Sequence, residues 1–233
     1  MRNLLIALAS AAVATQASAG VIYSDTFDAP NNPAFTTDYT QVFAQDGASA
    51  YPAGTYAIGP DANLYHNLWV SYGDHTTGSG NYMIVNGMQD TDATVWESGS
   101  ISLGAGTYTF SAWVANSCCG FGFDPSDNAA PRLTFNGIVG EAVGKTVSTA
   151  TAGGWTQLFT TFTVGAGGAT GNLILKSQQS DTSGNDFGID DIQLGTGGSP
   201  DSVPEAATWG MMVLGFGAIG AASRRRRTSL TFA

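Results

Sequence analysis

The chain of 233 residues carries 8 Lys and Arg against 18 Asp and Glu, which gives a formal net charge of −10 at pH 7. The imbalance is larger between Gly20 and Gly198, where three basic and sixteen acidic residues leave a formal charge of −13. Such a surface repels polyanions, which argues against nucleic acid and anionic lipid as partners of this segment. It suits a soluble, cation-attracting surface, although solubility alone accounts for most of these acids.

The first nineteen residues have the organisation of a secretory signal peptide. Met1-Arg2-Asn3 is positively charged, and residues 4–14 form an apolar run that is too short to span a membrane. Ala17-Ser18-Ala19 supplies the small residues after which signal peptidase cleaves. We therefore expect export, with signal peptidase as a processing partner and Gly20 as the first mature residue.

Residues 20–194 are predicted to form one all-β domain. Alternate residues between Thr107 and Val114 are apolar, a pattern typical of a half-buried strand. Between Gln157 and Val164 aromatic residues occupy both faces, which predicts a central strand. Further candidate strands are residues 82–85, 132–135, 173–175 and 187–194.

Glycine-rich breaks separate these candidate strands, at 104–106, 153–154 and 165–168. Many short strands at such spacing favour a two-sheet, jelly-roll-like sandwich. Residues 195–203 are rich in Gly, Ser and Pro, which predicts a flexible linker after the domain.

Aromatic residues are dense in residues 65–72, the candidate ligand-binding segment. Tyr65, Trp69 and Tyr72 stand there among polar residues, so we expect them to lie in a loop. Sugar rings stack on flat aromatic faces, because their C–H groups meet the π-electron density. The alternative is burial, since most tryptophans of a sandwich belong to its core, as we expect for Trp96 and Trp155.

The two cysteines, Cys118 and Cys119, are adjacent. Thiols of an exported chain tend to oxidise, which leaves a vicinal disulfide, two free thiols in a tight turn, or bridges to other chains. We favour the vicinal disulfide, which would be strained and reducible and would shape the following loop, residues 120–125.

Short acidic segments lie at both ends of the predicted domain, Asp25-Thr26-Phe27-Asp28 and residues 185–194. Together with Gly154-Trp155-Thr156 ahead of a strand, they resemble carbohydrate-binding modules of the galactose-binding-like type. The resemblance implies that the first and last strands lie together, and that an acidic residue from each holds a structural calcium ion. The matching positions are Asp28 and Asp190.

The acidic residues do not form a recognisable catalytic pair. Asp190 and Asp191 are adjacent, and neighbouring residues of a strand point to opposite faces. Asp186 and Asp190 share a face but lie about 13 Å apart, which is wide for a glycosidase. The histidines, His66 and His75, stand outside any H-E-x-x-H motif, and no G-x-S-x-G elbow occurs. The sequence therefore predicts that the protein is not an enzyme.

The last thirty residues combine a short spacer, an apolar stretch and a basic end. Residues 206–223 carry no charge and would span about 27 Å as a helix, close to a hydrocarbon core of about 30 Å. The following run of four arginines holds this end on the cytoplasmic side. We expect a transmembrane helix within residues 204–227, anchored in the inner membrane, and a cytoplasmic tail at residues 228–233.

This tail resembles the PEP-CTERM sorting signal, which exosortases of exopolysaccharide-producing Gram-negative bacteria recognise. The matching features are, in order, Pro204, Glu205, Trp209, the Gly215-Phe216-Gly217 run and the cluster of Arg224, Arg225, Arg226 and Arg227. Ala206 stands where the family usually has a second proline. The resemblance implies transient membrane anchoring, processing by exosortase and release to the cell surface or matrix. The alternative is an ordinary anchor that is never processed.

Three classes of function follow from these features. The first is a cell-surface or extracellular-matrix protein whose sandwich binds exopolysaccharide, as in a biofilm. The second is a structural or adhesive surface protein without a specific ligand. The third is ice binding, because Thr-x-Thr rows on a flat strand face can order water. The tail is also called the ice-binding protein C-terminal domain, but that name implies no contact with ice. Threonine rows that can order water are Thr107-x-Thr109, Thr149-x-Thr151 and Thr161-x-Thr163, without a fixed period.

Overall fold

The structure is a computed structural model that describes residues 20–119, 130–146, 152–178 and 184–198. These residues form an all-β sandwich, as the sequence predicts, with fourteen strands and one 3-10 turn, η1 (Ala62–Leu64). The strands are β1 (Val21–Asp25), β2 (Phe35–Thr36), β3 (Thr40–Gln41), β4 (Thr55–Gly59), β5 (Tyr82–Val85), β6 (Thr94–Ser98), β7 (Ile101–Leu103), β8 (Gly106–Asn116), β9 (Arg132–Asn136), β10 (Val143–Thr146), β11 (Trp155–Val164), β12 (Ala169–Gly171), β13 (Ile174–Ser177) and β14 (Phe187–Thr196).

Two sheets make up the layers of the sandwich. The first sheet has the order β11-β8-β14-β5-β4-β3, and β1 also pairs with β14. The second sheet has the order β10-β9-β13-β6-β2, and β7 pairs with β12 in a separate ribbon. The pairing of β1 with β14 is antiparallel and sets Asp25 opposite Ile192. The first and last strands therefore lie together, as the resemblance implies.

Aromatic side chains from both sheets meet in the core between them. Phe110 of β8 packs against Phe135 of β9, with ring centroids 5.1 Å apart. Trp96 of β6 lies 6.4 Å from Phe110 and is fully buried, as expected for a core tryptophan. These contacts follow from the alternation of the long strands, which places every second side chain on the inner face.

A second apolar cluster covers the outer face of the first sheet. Tyr82 and Ile84 of β5 point outward and pack against Tyr65 and Trp69, which belong to the segment around η1. Alternate residues of β5 thus contribute to two different cores, since Met83 and Val85 face the second sheet. The candidate ligand-binding segment, residues 65–72, therefore lies on the outer face of the first sheet.

Two sequence expectations about strand position need correction. β11 is an edge strand of the first sheet rather than a central one. Its outward aromatic residue, Phe159, is partly exposed beneath the ammonium group of Lys145, 5.7 Å from the ring centroid. In addition, β14 continues to Thr196, whose N–H donates to the carbonyl of Gly20, so the sheet includes the start of the expected linker.

The signal peptide and the sorting signal, with its expected transmembrane helix, lie outside the described residues. Within the residues that the structure does describe, no helix has the length and apolar character needed to cross a membrane.

Candidate ligand-binding site

Residues 73–80 meet β14 at a point where this strand is irregular. The pairing of β14 with β8 shifts between Asp190 and Gln193, and Asp191 adopts φ 45°, in the left-handed region. Such a bulge adds a residue to one strand and re-aims its side chains. The carboxylates of Asp190 and Asp191 consequently both contact Thr76, at 3.3 and 2.8 Å. The expectation that they point to opposite faces is wrong, because simple alternation holds only for a regular strand.

Backbone N–H groups hold the carboxylate of Asp190. Its Oδ2 accepts hydrogen bonds from the N–H groups of His75 at 2.8 Å and Thr76 at 3.2 Å. Its Oδ1 accepts from the N–H of Asp191 at 2.8 Å. Asp190 is fully buried. Burial, followed by the nearby charge of Asp191, raises the pKa of Asp190 to about 7.

The ring of His75 lies between a carboxylate and an indole. Its Nδ1 is 2.6 Å from Oδ2 of Asp191, and the ring stacks on Trp113 with centroids 3.8 Å apart and planes 14° from parallel. The side chains of His75 and Asp191 are 28% and 13% exposed. Trp113 of β8, which is paired with Asp190, is half-buried. We call these four residues, His75, Trp113, Asp190 and Asp191, the His75 cluster.

Polar side chains continue from the His75 cluster along the outer face of the first sheet. Gln157 of β11 is paired with Trp113 and is half-buried. Trp155 stands edge-on to His75, and its indole N–H donates to the carbonyl of Gly73 at 3.0 Å. Trp155 is thus half-buried at the boundary of the outer apolar cluster instead of lying in the core between the sheets. The result is an open polar surface with aromatic rings at one end.

The sequence-predicted platform at residues 65–72 is placed differently from the expectation. Tyr65 and Trp69 are buried in the outer apolar cluster, with 3% and 2% of their surface exposed. The indole N–H of Trp69 donates to the carboxylate of Asp186 at 2.9 Å, and the hydroxyl of Tyr72 bonds to Ser117 at 2.5 Å. Because their faces pack against protein atoms, Tyr65 and Trp69 are not exposed stacking surfaces. Tyr65, Trp69 and Tyr72 do lie outside the strands, as expected, and their role in ligand binding stays a prediction.

Tyr51, which sequence reasoning missed, is the exposed ring of that region. Its ring lies 4.4 Å from His66, which in turn stacks on Trp69 at 4.4 Å. Its hydroxyl donates to Oδ1 of Asn67 at 2.7 Å. The sequence around Tyr51 does not distinguish it from a buried tyrosine, because its contact with His66 forms only in the folded domain.

Asp28 and Asp190, the expected calcium ligands, have separate partners. Oδ1 of Asp28 accepts from the backbone and side-chain N–H groups of Asn81 at 2.9 and 3.0 Å. Both oxygens of Asp190 already accept hydrogen bonds from N–H groups. Calcium takes six to eight oxygen ligands, so a calcium ion at Asp190 would have to displace these N–H donors. Among the described residues, no group of three or more His, Cys, Asp or Glu is arranged to hold a metal. Calcium binding by Asp28 and Asp190 stays a prediction.

Cys118 and Cys119 lie directly beyond β8. In the structure their sulfurs are bonded to each other. Cys118 is buried, and its N–H donates to Oδ1 of Asn116 at 3.1 Å, whereas Cys119 is half-buried. The following loop lies outside the described residues. The oxidation state of the pair in the exported protein stays a prediction, which thiol labelling without reductant tests.

Three similar solved structures cover most of this chain. The CBM22-1 xylan-binding domain of Paenibacillus barcinonensis Xyn10C is 12% identical with a TM-score of 0.43, covering 78% of this chain and 97% of that domain. The K3 adhesin domain of Lys-gingipain from Porphyromonas gingivalis is 15% identical with a TM-score of 0.43, covering 77% and 99%. A cyclase from Fischerella sp. is 15% identical with a TM-score of 0.49, covering 79% and 99%.

No curated protein matches the chain. A family model does match its C-terminal part, at residues 202–227, and describes this segment as the PEP-CTERM protein-sorting motif. The match includes each of the residues on which the sequence resemblance rests, Pro204, Glu205, Trp209 and the four arginines Arg224, Arg225, Arg226 and Arg227. The chain therefore carries a PEP-CTERM sorting motif behind an all-β domain.

Proposed function

We propose that the protein is an exported surface or matrix protein whose sandwich binds a polysaccharide on the outer face of the first sheet. The observation that carries this proposal is the His75 cluster, where a half-buried indole, a stacked imidazole and a partly exposed carboxylate lie together. Pyranose C–H groups pack against aromatic faces, while carboxylates and amides bond to neighbouring hydroxyls. The open strand surface beyond the cluster suits a chain of sugars.

Export and sorting support a role outside the cytoplasm. The N-terminal segment has the features that signal peptidase recognises, and the PEP-CTERM motif implies an exosortase as the later processing partner. In this proposal the C-terminal helix anchors the chain in the inner membrane of a Gram-negative cell until it is processed. The domain then reaches the surface, where exopolysaccharide is available.

Binding fits the His75 cluster better than catalysis does. Nδ1 of His75 is held by Asp191, an arrangement that orients a base in many hydrolases. Within the described part of the chain, however, no hydroxyl or thiol is hydrogen-bonded to either ring nitrogen of His75. Asp190, the other carboxylate, is fully buried and is held by N–H donors. The cluster therefore suits recognition better than hydrolysis by a hydroxyl or thiol nucleophile.

Ice binding receives less support from the same surface. Thr107 and Thr109 pair with Thr163 and Thr161, which places four threonines on one face. Thr109 is buried, however, and its hydroxyl donates to the carbonyl of Gly197 at 2.6 Å. The remaining exposed array is small for ordering an ice-like layer of water. Thermal hysteresis of the exported protein tests this alternative.

The polysaccharide proposal is tested by screening the exported protein against a glycan array and then comparing variants on the best polymer. Trp113→Ala should weaken binding by about tenfold, because it removes the aromatic surface of the site. Phe43→Ala is the matched control, since Phe43 is an aromatic residue with 76% exposure away from the cluster. Equal binding by both variants would place the site elsewhere. Binding to no polymer at all would favour a structural or adhesive role.

A further inference from the structure

A small polar cavity lies on the second sheet, away from the His75 cluster. Its volume is about 270 Å³, and Thr91, Arg132 and Gln178 line it. Arg132 begins β9, and Gln178 directly follows β13, the strand that pairs with β9. The N–H of Gln178 donates to the carbonyl of Arg132 at 2.9 Å, so the sheet itself fixes the spacing of these two side chains.

Arg132 differs from the other two cations of the domain in having neither a charged partner nor an aromatic one among the described residues. Lys176 pairs with Asp92 at 2.9 Å, and Lys145 lies over the ring of Phe159. No ion pair or side-chain hydrogen bond engages the guanidinium of Arg132 within the residues described here. The cavity thus contains a free guanidinium in a domain that is strongly acidic.

Beside the cavity lies a buried hydroxyl without a partner. Thr134 follows Arg132 by two residues on β9, so their side chains are on the same face. Thr134 is 6% exposed, and its Oγ1 has no hydrogen-bond partner. Gly144 of β10 pairs with Thr134. The side-chain oxygen of Gln178 lies close to Gly144, 2.6 Å from the position that a Cβ on Gly144 would occupy. Gln178 therefore extends over β9 towards Gly144 of β10, beside Thr134, and the two side chains add polar groups next to the cavity.

We propose that this cavity binds a single uronic acid unit of an otherwise mostly neutral polysaccharide, with the sugar carboxylate on Arg132. The net negative charge of the domain disfavours a fully charged polymer. A planar guanidinium bonds to a carboxylate through two parallel N–H groups, which a neutral sugar cannot reproduce. The amide of Gln178 and the hydroxyl of Thr91 supply donors and acceptors for ring hydroxyls. The cavity is smaller than the range of about 300 to 1,000 Å³ of typical ligand pockets, which suits a single sugar unit. The proposal rests on polysaccharide binding as the function and adds a second, charge-selective site.

The test is calorimetric titration of the exported protein with galacturonate, with its methyl ester and with a sulfated monosaccharide. The methyl ester keeps the ring and removes the charge. Wild-type protein should bind galacturonate at least tenfold more tightly than the ester, and Arg132→Gln should lose about tenfold in affinity for galacturonate. Arg132→Lys should recover only part of the loss, because a lysine keeps the charge but not the paired N–H groups.

Lys145→Gln is the matched control. It makes the same change in net charge on β10, the edge strand of the same sheet, where Lys145 lies over the ring of Phe159, and it should alter the affinity less than twofold. Equal affinity for galacturonate and its ester, unchanged binding by Arg132→Gln, or tighter binding of the sulfated sugar would overturn the uronate site. Binding of neutral polymers only would overturn this site and leave the proposed function intact. If no polymer binds, both proposals fail.

Discussion

The indole N–H of Trp96 donates to the buried carboxylate of Asp25 at 3.0 Å and so joins the two sheets of the sandwich. Asp25 ends β1 of the first sheet, and Trp96 lies in β6 of the second. The other carboxylate oxygen accepts from the N–H of Phe27 at 3.0 Å, so both oxygens have partners although the residue is fully buried. Burial raises the pKa of Asp25 to about 6.

Replacing Trp96 by Phe should lower the free energy of unfolding by about 2 to 4 kcal/mol. The change leaves one oxygen of Asp25 buried without a donor, which costs about 1 to 3 kcal/mol, and it opens a small cavity in the core. Urea unfolding measures the loss. Phe110→Leu is a control that removes ring volume from the same core without touching a hydrogen bond. A Trp96→Phe variant as stable as wild type would mean that the cross-sheet bond contributes nothing.

The pH dependence of stability should reflect three buried aspartates. Burial raises the pKa of Asp186, like that of Asp25, to about 6, and the pKa of Asp190 to about 7. An aspartate of the unfolded chain titrates near 3.9, so between about pH 4 and about pH 7 the folded state binds more protons. The free energy of unfolding should therefore fall as the pH rises through this window, by up to about 1.4 kcal/mol per pH unit for each group.

Urea unfolding at several pH values between about 4.5 and about 7.5 measures this slope. Asp190→Asn should make it shallower, because one of the three groups no longer titrates. Asp90→Asn is the control, since Asp90 is exposed. Stability that rises with pH across the window would contradict the assignment of the three buried carboxyl groups.

The long strands of the sandwich and several strands of four or five residues, such as β5 and β9, can be predicted from the sequence, whereas the shortest strands cannot. β8 and β14 contain eleven and ten residues, enough for alternation between inner and outer faces to be recognised. β2 and β3 contain two residues each, which is too few for any period. Edge position also escaped prediction, because Phe159 of β11 is outward and aromatic, the pattern expected of a central strand.

The candidate site depends on contacts that no local pattern contains. His75 and Asp191 are 116 residues apart, and they meet because β14 has a bulge at Asp191. The resemblance assigns calcium binding to Asp28 and Asp190. In the structure the N–H of Asn81 donates to Asp28 and the N–H of His75 donates to Asp190, and no sequence motif points to either donor. The sequence did point to aromatic recognition, but burial decides which rings are available, and burial follows from the tertiary fold.

The loop that supplies His75 should depend on the absence of a side chain at Gly73. A Cβ at Gly73 would collide with the backbone carbonyl of Gly78, which cannot move as the end of a flexible side chain can. Gly73→Ala should therefore displace the N–H groups that hold Asp190, lowering stability by about 1 to 3 kcal/mol and weakening polysaccharide binding. Gly99→Ala, at a position with open space around it, should change neither. Urea unfolding and the polymer titration report the two effects separately, and wild-type values for Gly73→Ala in both would show that this loop tolerates the change.

Processing at both termini is the prediction that tests the sorting motif. Intact mass of the surface protein should correspond to a chain that begins at Gly20 and ends near Pro204-Glu205, without the four arginines of the tail. Replacing Arg224–Arg227 by glutamine should weaken retention and sorting, because the stop at the cytoplasmic face depends on positive charge. The matched control replaces Thr228 and Ser229 by glutamine, which alters the same tail without changing its charge and should leave sorting as in wild type. A mature surface protein that still contains all four arginines would show that the motif at residues 202–227 acts as a permanent anchor.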